Sequence, residues 1–488
     1  MAERSWRRVS EWPAAWAVVK TLFGEAASSG RTGGVGKVAP TRSVRARPGL
    51  QCWAVTMTAT TPSPAVPAVG AAGAAGPERR PSLLRTDTPG RMRVWSIAVA
   101  VVAVIFGIVG STAIANRATD LGDARDAAAQ LERLESVRTA VVEADSLAAS
   151  AYLEGGLESP DRRATYEDRL DAAQAGLAAA AARATDAEVE QLGGLASALT
   201  TAAGLIEQSR ANSRQGFPVG AAYQRNASAL IRSDVLPGLD SIATATAART
   251  GDEVDRGARA QLVLWGPALV ALGFIWAASV WLTRRTRRVV NVGLAIAALA
   301  VLGFTGFASS VLASSTSDAR STLDGSYAGA TAFAQARTAA FDARSNEALT
   351  LIARGNGAAF ETRWQEQAAQ VAARLTDAAK ADSVNGQNAI DGFRSYGSEH
   401  VQVRELDDAG DYDTAVERAL AVGNGGDGFF QFDEASRTGL ESLSADTDAA
   451  LGEARDSVSG HRWLVLVAGF VAAAAAFAGF ARRIQEYR

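Results

Sequence analysis

Two histidines, His400 and His461, and one cysteine, Cys52, are the only side chains of their kinds in this sequence. They stand far apart, so neither a histidine-based zinc site of ordinary ligand spacing nor a paired-cysteine site can be assembled from them. No glycine-rich phosphate loop and no Gly-x-Ser-x-Gly occurs. Acids are plentiful, 52 Asp plus Glu against 49 Lys plus Arg, but on helices a run of charge is ordinarily a solvated face. One set has ligand-binding character: Arg337, Arg344 and Glu347 lie at helical spacings on a single segment. If they turn inward they need partners and form a small-ligand site; if outward, they are surface ion pairs at three-residue spacing. The chain therefore reads as non-enzymatic, with no cofactor, no metal and no nucleic-acid partner.

The elements that would hold such residues are set by four apolar runs. Residues 262–282 and 289–311 carry no charge, and each has at least the roughly 20 residues, at about 1.5 Å apiece, that a helix needs to cross a bilayer. Between them lies Thr283-Arg284-Arg285-Thr286-Arg287-Arg288. Four arginines in a short turn are costly to translocate, so the positive-inside rule puts this turn in the cytoplasm. Runs at 94–113 and 464–480 complete a four-span scheme with both termini inside, in a bacterial plasma membrane, and with two long segments outside.

Charge supports that scheme independently of hydropathy. Lys plus Arg stand against Asp plus Glu as 14 to 5 over residues 1–93, 15 to 22 over 117–260, 4 to 0 over 283–288, 13 to 24 over 312–462 and 3 to 1 over 482–488. Basic inner segments and acidic outer ones are hidden in a net charge of −3, which by itself says nothing of partners. Trp95 and Trp281 fall at the inner boundary, and Trp265 and Trp463 at the outer one, where an amphipathic indole prefers the headgroup level.

Both outer segments read as helix throughout. In residues 116–260, Leu134, Val137, Val141, Ala144, Ala148 and Ala151 follow three- and four-residue steps, a seam of the bundle or coiled-coil type. Gly155-Gly156 ends that helix, Ser159-Pro160-Asp161 opens another, 187–213 makes a third, and 221–260 a fourth with a kink expected at Pro237. Residues 312–461 repeat the plan, with helices over 316–353, 358–381, 389–408, 412–421 and 429–458. The fold class is all-α: an integral membrane protein with four transmembrane helices and two extracytoplasmic antiparallel bundles. With no cysteine outside, each bundle must be held by packing alone. At about 150 residues, each is large enough for its own core.

An internal repeat links the bundles. Setting Val137 against Ala336 aligns Arg138-Thr139-Ala140 with Arg337-Thr338-Ala339, Glu143-Ala144 with Asp342-Ala343, Ser146 with Ser345, and Gly156 with Gly355. Within the membrane, Gly107 and Gly110 pair with Gly303 and Gly306 and would allow close helix contact. The basic tail, residues 1–90, is rich in Ala, Pro, Thr and Gly from residue 58 on and is expected to be disordered and cytoplasmic. Residues 1–56 show no sustained period, and Met57 opens a more coherent protein.

Two membrane-anchored bundles joined by an arginine turn resemble the GlnX-type four-span membrane proteins of the actinobacterial protein kinase G pathway. The similarity covers about residues 91–488 and includes Ala151-Tyr152-Leu153-Glu154-Gly155-Gly156 and Gly410-Asp411-Tyr412-Asp413-Thr414-Ala415. Three lysines against 46 arginines fit a GC-rich genome of that kind. The resemblance implies a transducer: a solute-binding lipoprotein outside reports through the membrane protein to a soluble Ser/Thr kinase inside. Arg284, Arg285, Arg287 and Arg288 are the expected docking surface for such a partner, and a homodimer is compatible with the pattern. The rival readings are a non-switching membrane scaffold or envelope-associated protein, and a direct small-molecule sensor.

Overall fold

The computed structural model describes residues 88–155, 158–286, 291–421 and 427–485. They form helices and their connections, with no strand among the described residues. Expectations for the tail before residue 88, and for Arg287 and Arg288, lie outside them.

The first helix, α1 (Thr88–Leu153), runs without interruption from the apolar run through the whole seam of the first bundle. Its 66 residues extend about 100 Å at 1.5 Å each. Helices α2 (Pro160–Ala181), α3 (Asp186–Arg214) and α4 (Val219–Leu230) follow, then a π-helical turn at Ile231–Val235 and α5 (Leu236–Thr286), which re-enters the apolar region. The second half contains α6 (Val292–Thr322), a π-helical turn at Leu323–Tyr327, α7 (Ala328–Ile352), α8 (Ala358–Ala381), α9 (Ser383–Asp408), α10 (Tyr412–Ala421), α11 (Gly428–Gly460) and α12 (Arg462–Gln485).

Local chemistry explains most boundaries. Ser159 caps α2 by accepting from the Arg162 N–H, with Pro160 in the first turn, where its missing N–H costs nothing. The Glu188 carboxylate accepts from the Thr185 N–H at the start of α3, and Asp427 accepts from the Phe430 N–H at the start of α11. Where a kink is expected at Pro237, a π turn lies just before it, in which the Leu236 N–H reaches back to the Ile231 carbonyl. Pro237 offers no N–H of its own, so the wider turn takes up the mismatch. Helix α9 starts at Ser383, earlier than the sequence pattern suggests, because Asp382 caps it. A Cβ on Gly386 would fall 2.5 Å from the Ala379 Cα, so glycine permits the tight turn between α8 and α9.

Four helical stretches, in α1, α5, α6 and α12, are long and apolar enough to cross a membrane. Val94, Ile97, Val101, Ile105 and Ile108 form an exposed stripe along α1, at the spacing of one helix face. Large exposed apolar side chains recur on the other three, including Leu269, Leu299 and Phe470, as a lipid-facing surface requires. Inside, Val99, Phe106, Ile275, Leu294, Val301 and Phe480 share one core. Trp95 and Trp281 meet at 6.3 Å between ring centroids, at the end nearest the arginine turn.

The described residues fall in one compact unit, not two. Helix α7 is the reason: every residue from Phe333 to Ile352 is buried except Gln335 and Arg344. Val142 of the first bundle belongs to the core built around Phe333, Phe429 and Phe432 of the second, and Tyr327 packs against the core of the first. The two repeats therefore share a seam, formed by their first helices.

Candidate functional site

The seam is lined by polar groups as well as alanines. Thr139 and Thr338 are hydrogen-bonded at 3.1 Å. Nearly two turns further on, the Ser345 hydroxyl donates to Asp145 Oδ2 at 2.6 Å, and Ala149 shares a small core with Ala348. These pairs keep an offset of 199 or 200 residues, so α1 and α7 run parallel and in register.

Arg232, in the first π turn, reaches into this seam. Its guanidinium lies 3.2 Å from Asp145 Oδ2 and 2.6 Å from Asp342 Oδ1, and donates to the Ser345 hydroxyl at 3.0 Å. The Ser228 hydroxyl donates to Asp145 Oδ1 at 2.5 Å. Burial pushes the Asp342 pKa up, with Arg232 opposing it; Arg232 itself is held above its ordinary value because both carboxylates outweigh its desolvation. One guanidinium is shared by two carboxylates, so the cluster keeps an excess negative charge, and the Ser228 and Ser345 hydroxyls donating to Asp145 help to hold it.

A second cluster lies inside the second bundle. His400 of α9 is 2% exposed; its Nδ1 lies 2.6 Å from Glu347 of α7 and its Nε2 3.2 Å from Glu361 of α8. Its ring stacks on Trp364 at 3.6 Å, and the Trp364 indole donates to the Tyr396 hydroxyl. Burial works against protonating His400, but the two carboxylate hydrogen bonds outweigh it and hold its pKa above the ordinary value.

A cavity of about 370 Å³ opens between α1, α2, α7 and α11, within the size range of ligand pockets. Leu131, Ala140, Ala334, Leu440 and Leu451 give it apolar walls, and Thr139 of the seam lies at its edge. Its arginines are all engaged. Arg125 binds Asp448 at 2.5 Å, Arg169 binds Glu143 at 2.8 Å, Arg337 binds Asp433 at 2.7 Å, and Arg437 binds Glu434 at 2.5 Å. Glu132 and Glu135 also line it. Burial raises the pKa of Glu135 and of Glu143.

The residues singled out by spacing do not converge on one ligand. Arg337 is buried and lines the cavity, but is spent on the Asp433 side chain, the Asp433 carbonyl and Ser436. Arg344 lies over the Phe429 ring at 4.9 Å, and Glu347 binds His400. A helix buried on nearly all sides sends neighbouring charges to different helices, which a one-face reading cannot anticipate. Of the membrane glycines, Gly107 packs on Gly469 of α12, where an added Cβ would lie 3.0 Å from the Gly469 Cα, and Gly110 sits against Val465. Gly303 and Gly306 are exposed and would place a Cβ within 4 Å of no atom among the described residues. The close contact on the other side of α12 falls instead to Gly293 and Gly479, with the Asn291 amide donating to the Gly479 carbonyl at 3.2 Å. Arg284 and Arg285 are exposed.

Sequence reasoning missed His400, Glu135 and Arg232. His400 joins helices remote in sequence, and no local spacing announces it. Glu135 and Asp145 left a signal: each flanks an apolar seam position, Leu134 and Ala144, so an acid on that side must be buried once a second helix covers it.

Fold and site together define a helical protein with four candidate membrane spans and a polar seam between two repeated bundles. Residues 120–255, which take in the first bundle from α1 into α5, match the family model of an actinobacterial sensor domain. That match supports a sensing role in an actinobacterial protein. No curated protein and no solved structure matches the chain.

Proposed function

We propose that this protein is a non-enzymatic transmembrane signal relay of the bacterial plasma membrane, with its bundles outside and both termini in the cytoplasm. The bundles sense a ligand, or a ligand-loaded solute-binding lipoprotein of the GlnX-type pathway, and pass a helix shift to a cytoplasmic partner such as a Ser/Thr kinase. The observation that carries this reading is the unbroken course of α1 from the seam into the membrane. A change in seam packing has a rigid element along which to travel, and a two-state packing is what a receptor needs. The sensor-domain match over residues 120–255 supports it from a separate direction. The exposed Arg284 and Arg285 are the natural docking surface, although arginines there also serve as topology anchors and lipid contacts, worth about 1 kcal/mol each.

Two measurements test the proposal. In a Cys52→Ser background, cysteines at Ser197 and Ser442, both exposed, should react with an impermeant thiol reagent in intact cells, and one at Thr286 should not. Reversed labelling would overturn the orientation. Arg284→Gln with Arg285→Gln, leaving the other two arginines to hold topology, should abolish recovery of the cytoplasmic partner on pull-down. Unchanged recovery from a correctly inserted variant would exclude these two arginines as the contact.

The cavity beside the seam favours one alternative to the lipoprotein, direct sensing of a small molecule by the bundles themselves.

A further inference from the structure

The cavity between the repeats contains a carboxylate that the protein does not satisfy. Glu135 is 3% exposed, yet its Oε2 has no hydrogen-bond partner among the described residues. The nearest cation, Arg138, stands 3.9 Å away, too far to donate, and its guanidinium is already turned to Asp240 at 3.2 Å. A buried carboxylate oxygen without a donor is costly, and native structures rarely keep one without a use. Gln335 bonds the carboxylate but leaves that oxygen open.

The surroundings decide what the missing donor is. The four arginines of the cavity each hold a carboxylate of their own, so an anion entering would find no free guanidinium. Glu132, one turn before Glu135 on the same helix face, adds negative charge at the cavity wall. No group of three His, Cys, Asp or Glu side chains able to hold a metal ion occurs among the described residues, which leaves an organic donor as the better fit. Among the remaining lining residues, Leu131, Ala140, Ala334, Leu440 and Leu451 offer an apolar body contact, and the hydroxyls of Ser136, Thr331 and Ser444 are neutral polar groups beside it.

We propose that this cavity binds a small organic cation, an ammonium or guanidinium group on a short apolar body, with Glu135 as the anchoring carboxylate and the aliphatic walls receiving the body. The ligand would touch α1, α7 and α11 together, beside the Thr139–Thr338 contact, and so would bind one packing of the seam better than another. The inference rests on the sensing reading above and supplies the chemical class of what is sensed.

The test uses the full chain in lipid nanodiscs, titrated by calorimetry with butylammonium and butylguanidinium, and with butyrate as the anionic control. One of the two cations should bind saturably with one site per chain, and butyrate should not. Glu135→Gln keeps the shape and removes the charge, and should weaken binding about tenfold or more, the scale of a charge-assisted hydrogen bond. Leu440→Trp fills the apolar wall without touching Glu135 and should block binding too. Because the carboxylate must be ionised, affinity should also fall as pH is lowered through the raised pKa of Glu135. Absence of saturable cation binding, or binding unchanged in both variants, would overturn the proposal. A separate arm, recovery of the cytoplasmic partner with and without the cation, reports on the relay alone: failure there with binding intact counts against the relay and leaves the site standing.

Discussion

Thr139 and Thr338 share a hydrogen bond of 3.1 Å across 199 residues, and 199 is also the offset that aligns the first helices of the two repeats. Each threonine therefore pairs with its own counterpart. The bond fixes the register of α1 against α7 at the wall of the ligand cavity.

Changing either threonine alone to valine keeps the volume but leaves the other hydroxyl facing a methyl group in a buried seam. Each single change should cost about 1–2 kcal/mol, and the double change should cost less than the sum of the two. Thermal unfolding of the four variants in detergent measures the coupling. Strict additivity would mean that the two hydroxyls do not act as a pair.

His400 gives the second bundle a pH dependence of defined sign. Its folded pKa lies above the ordinary value, so its contribution is fully present below an unfolded pKa of about 6.5 and is lost as pH rises through the folded value. The charged or titratable groups around it are Glu347 of α7, Glu361 of α8, and Arg404 and Tyr396 of α9. The carboxylates whose pKa burial raises, Glu135, Glu143 and Asp342, act in the same direction. Stability should therefore fall as pH rises above about 6.5 and through the raised pKa of His400, and less steeply in His400→Gln. Equal slopes for the two proteins would remove His400 as the cause.

The membrane contacts discriminate among glycines. Gly107→Val should drive a branched side chain into the α12 backbone and destabilise the spans by about 1–3 kcal/mol. Gly306→Val, on an open face, should stay within about 0.5 kcal/mol of the parent. The comparison is read from unfolding midpoints in one detergent; similar losses at both positions would contradict the packing of α1 on α12.

Residues 116–260 and 316–460, produced separately, should each expose half of the seam and self-associate or aggregate. Coexpressed, they should copurify as a one-to-one complex, measured by size exclusion with light scattering. Two well-behaved monomers with independent cooperative unfolding would show that the shared core around Val142 and Phe333 is dispensable.

The sequence carried the elements further than it carried the site. Helix spans, the Ser159 cap, the Pro237 irregularity and the apolar runs are local: each follows from a few neighbouring residues and the chemistry of a helix end, a missing N–H or a charge-free stretch. The repeat offset was legible too, since Arg138-Thr139 and Arg337-Thr338 stand out against an alanine-rich background. What could not be read was how the repeats face each other. A seam of Val137, Val141 and Ala144 serves an internal core and an interface equally well, so the burial of α7 on nearly all sides stayed hidden. The partners of Glu347, Arg337 and Arg232 lie on helices far away in the chain, and only packing selects them.

A contact in which a residue meets its own counterpart is the mark of a two-fold interface between identical partners. The seam of α1 and α7 is such an interface written within one polypeptide. A single repeat, with one bundle and two spans, would find on a second copy of itself the surface that Thr139 finds around Thr338. Joining the copies into one chain frees the two sides to differ, and they differ at the centre of the seam. Asp145 and Arg344 are counterparts by the same offset, an acid facing a base in the alignment. Arg232 reaches in from one repeat only, to hold Asp145 and Asp342 together. Identical copies would have to supply that guanidinium twice; the fused chain supplies it once, and so has a front and a back where a symmetric dimer would have none.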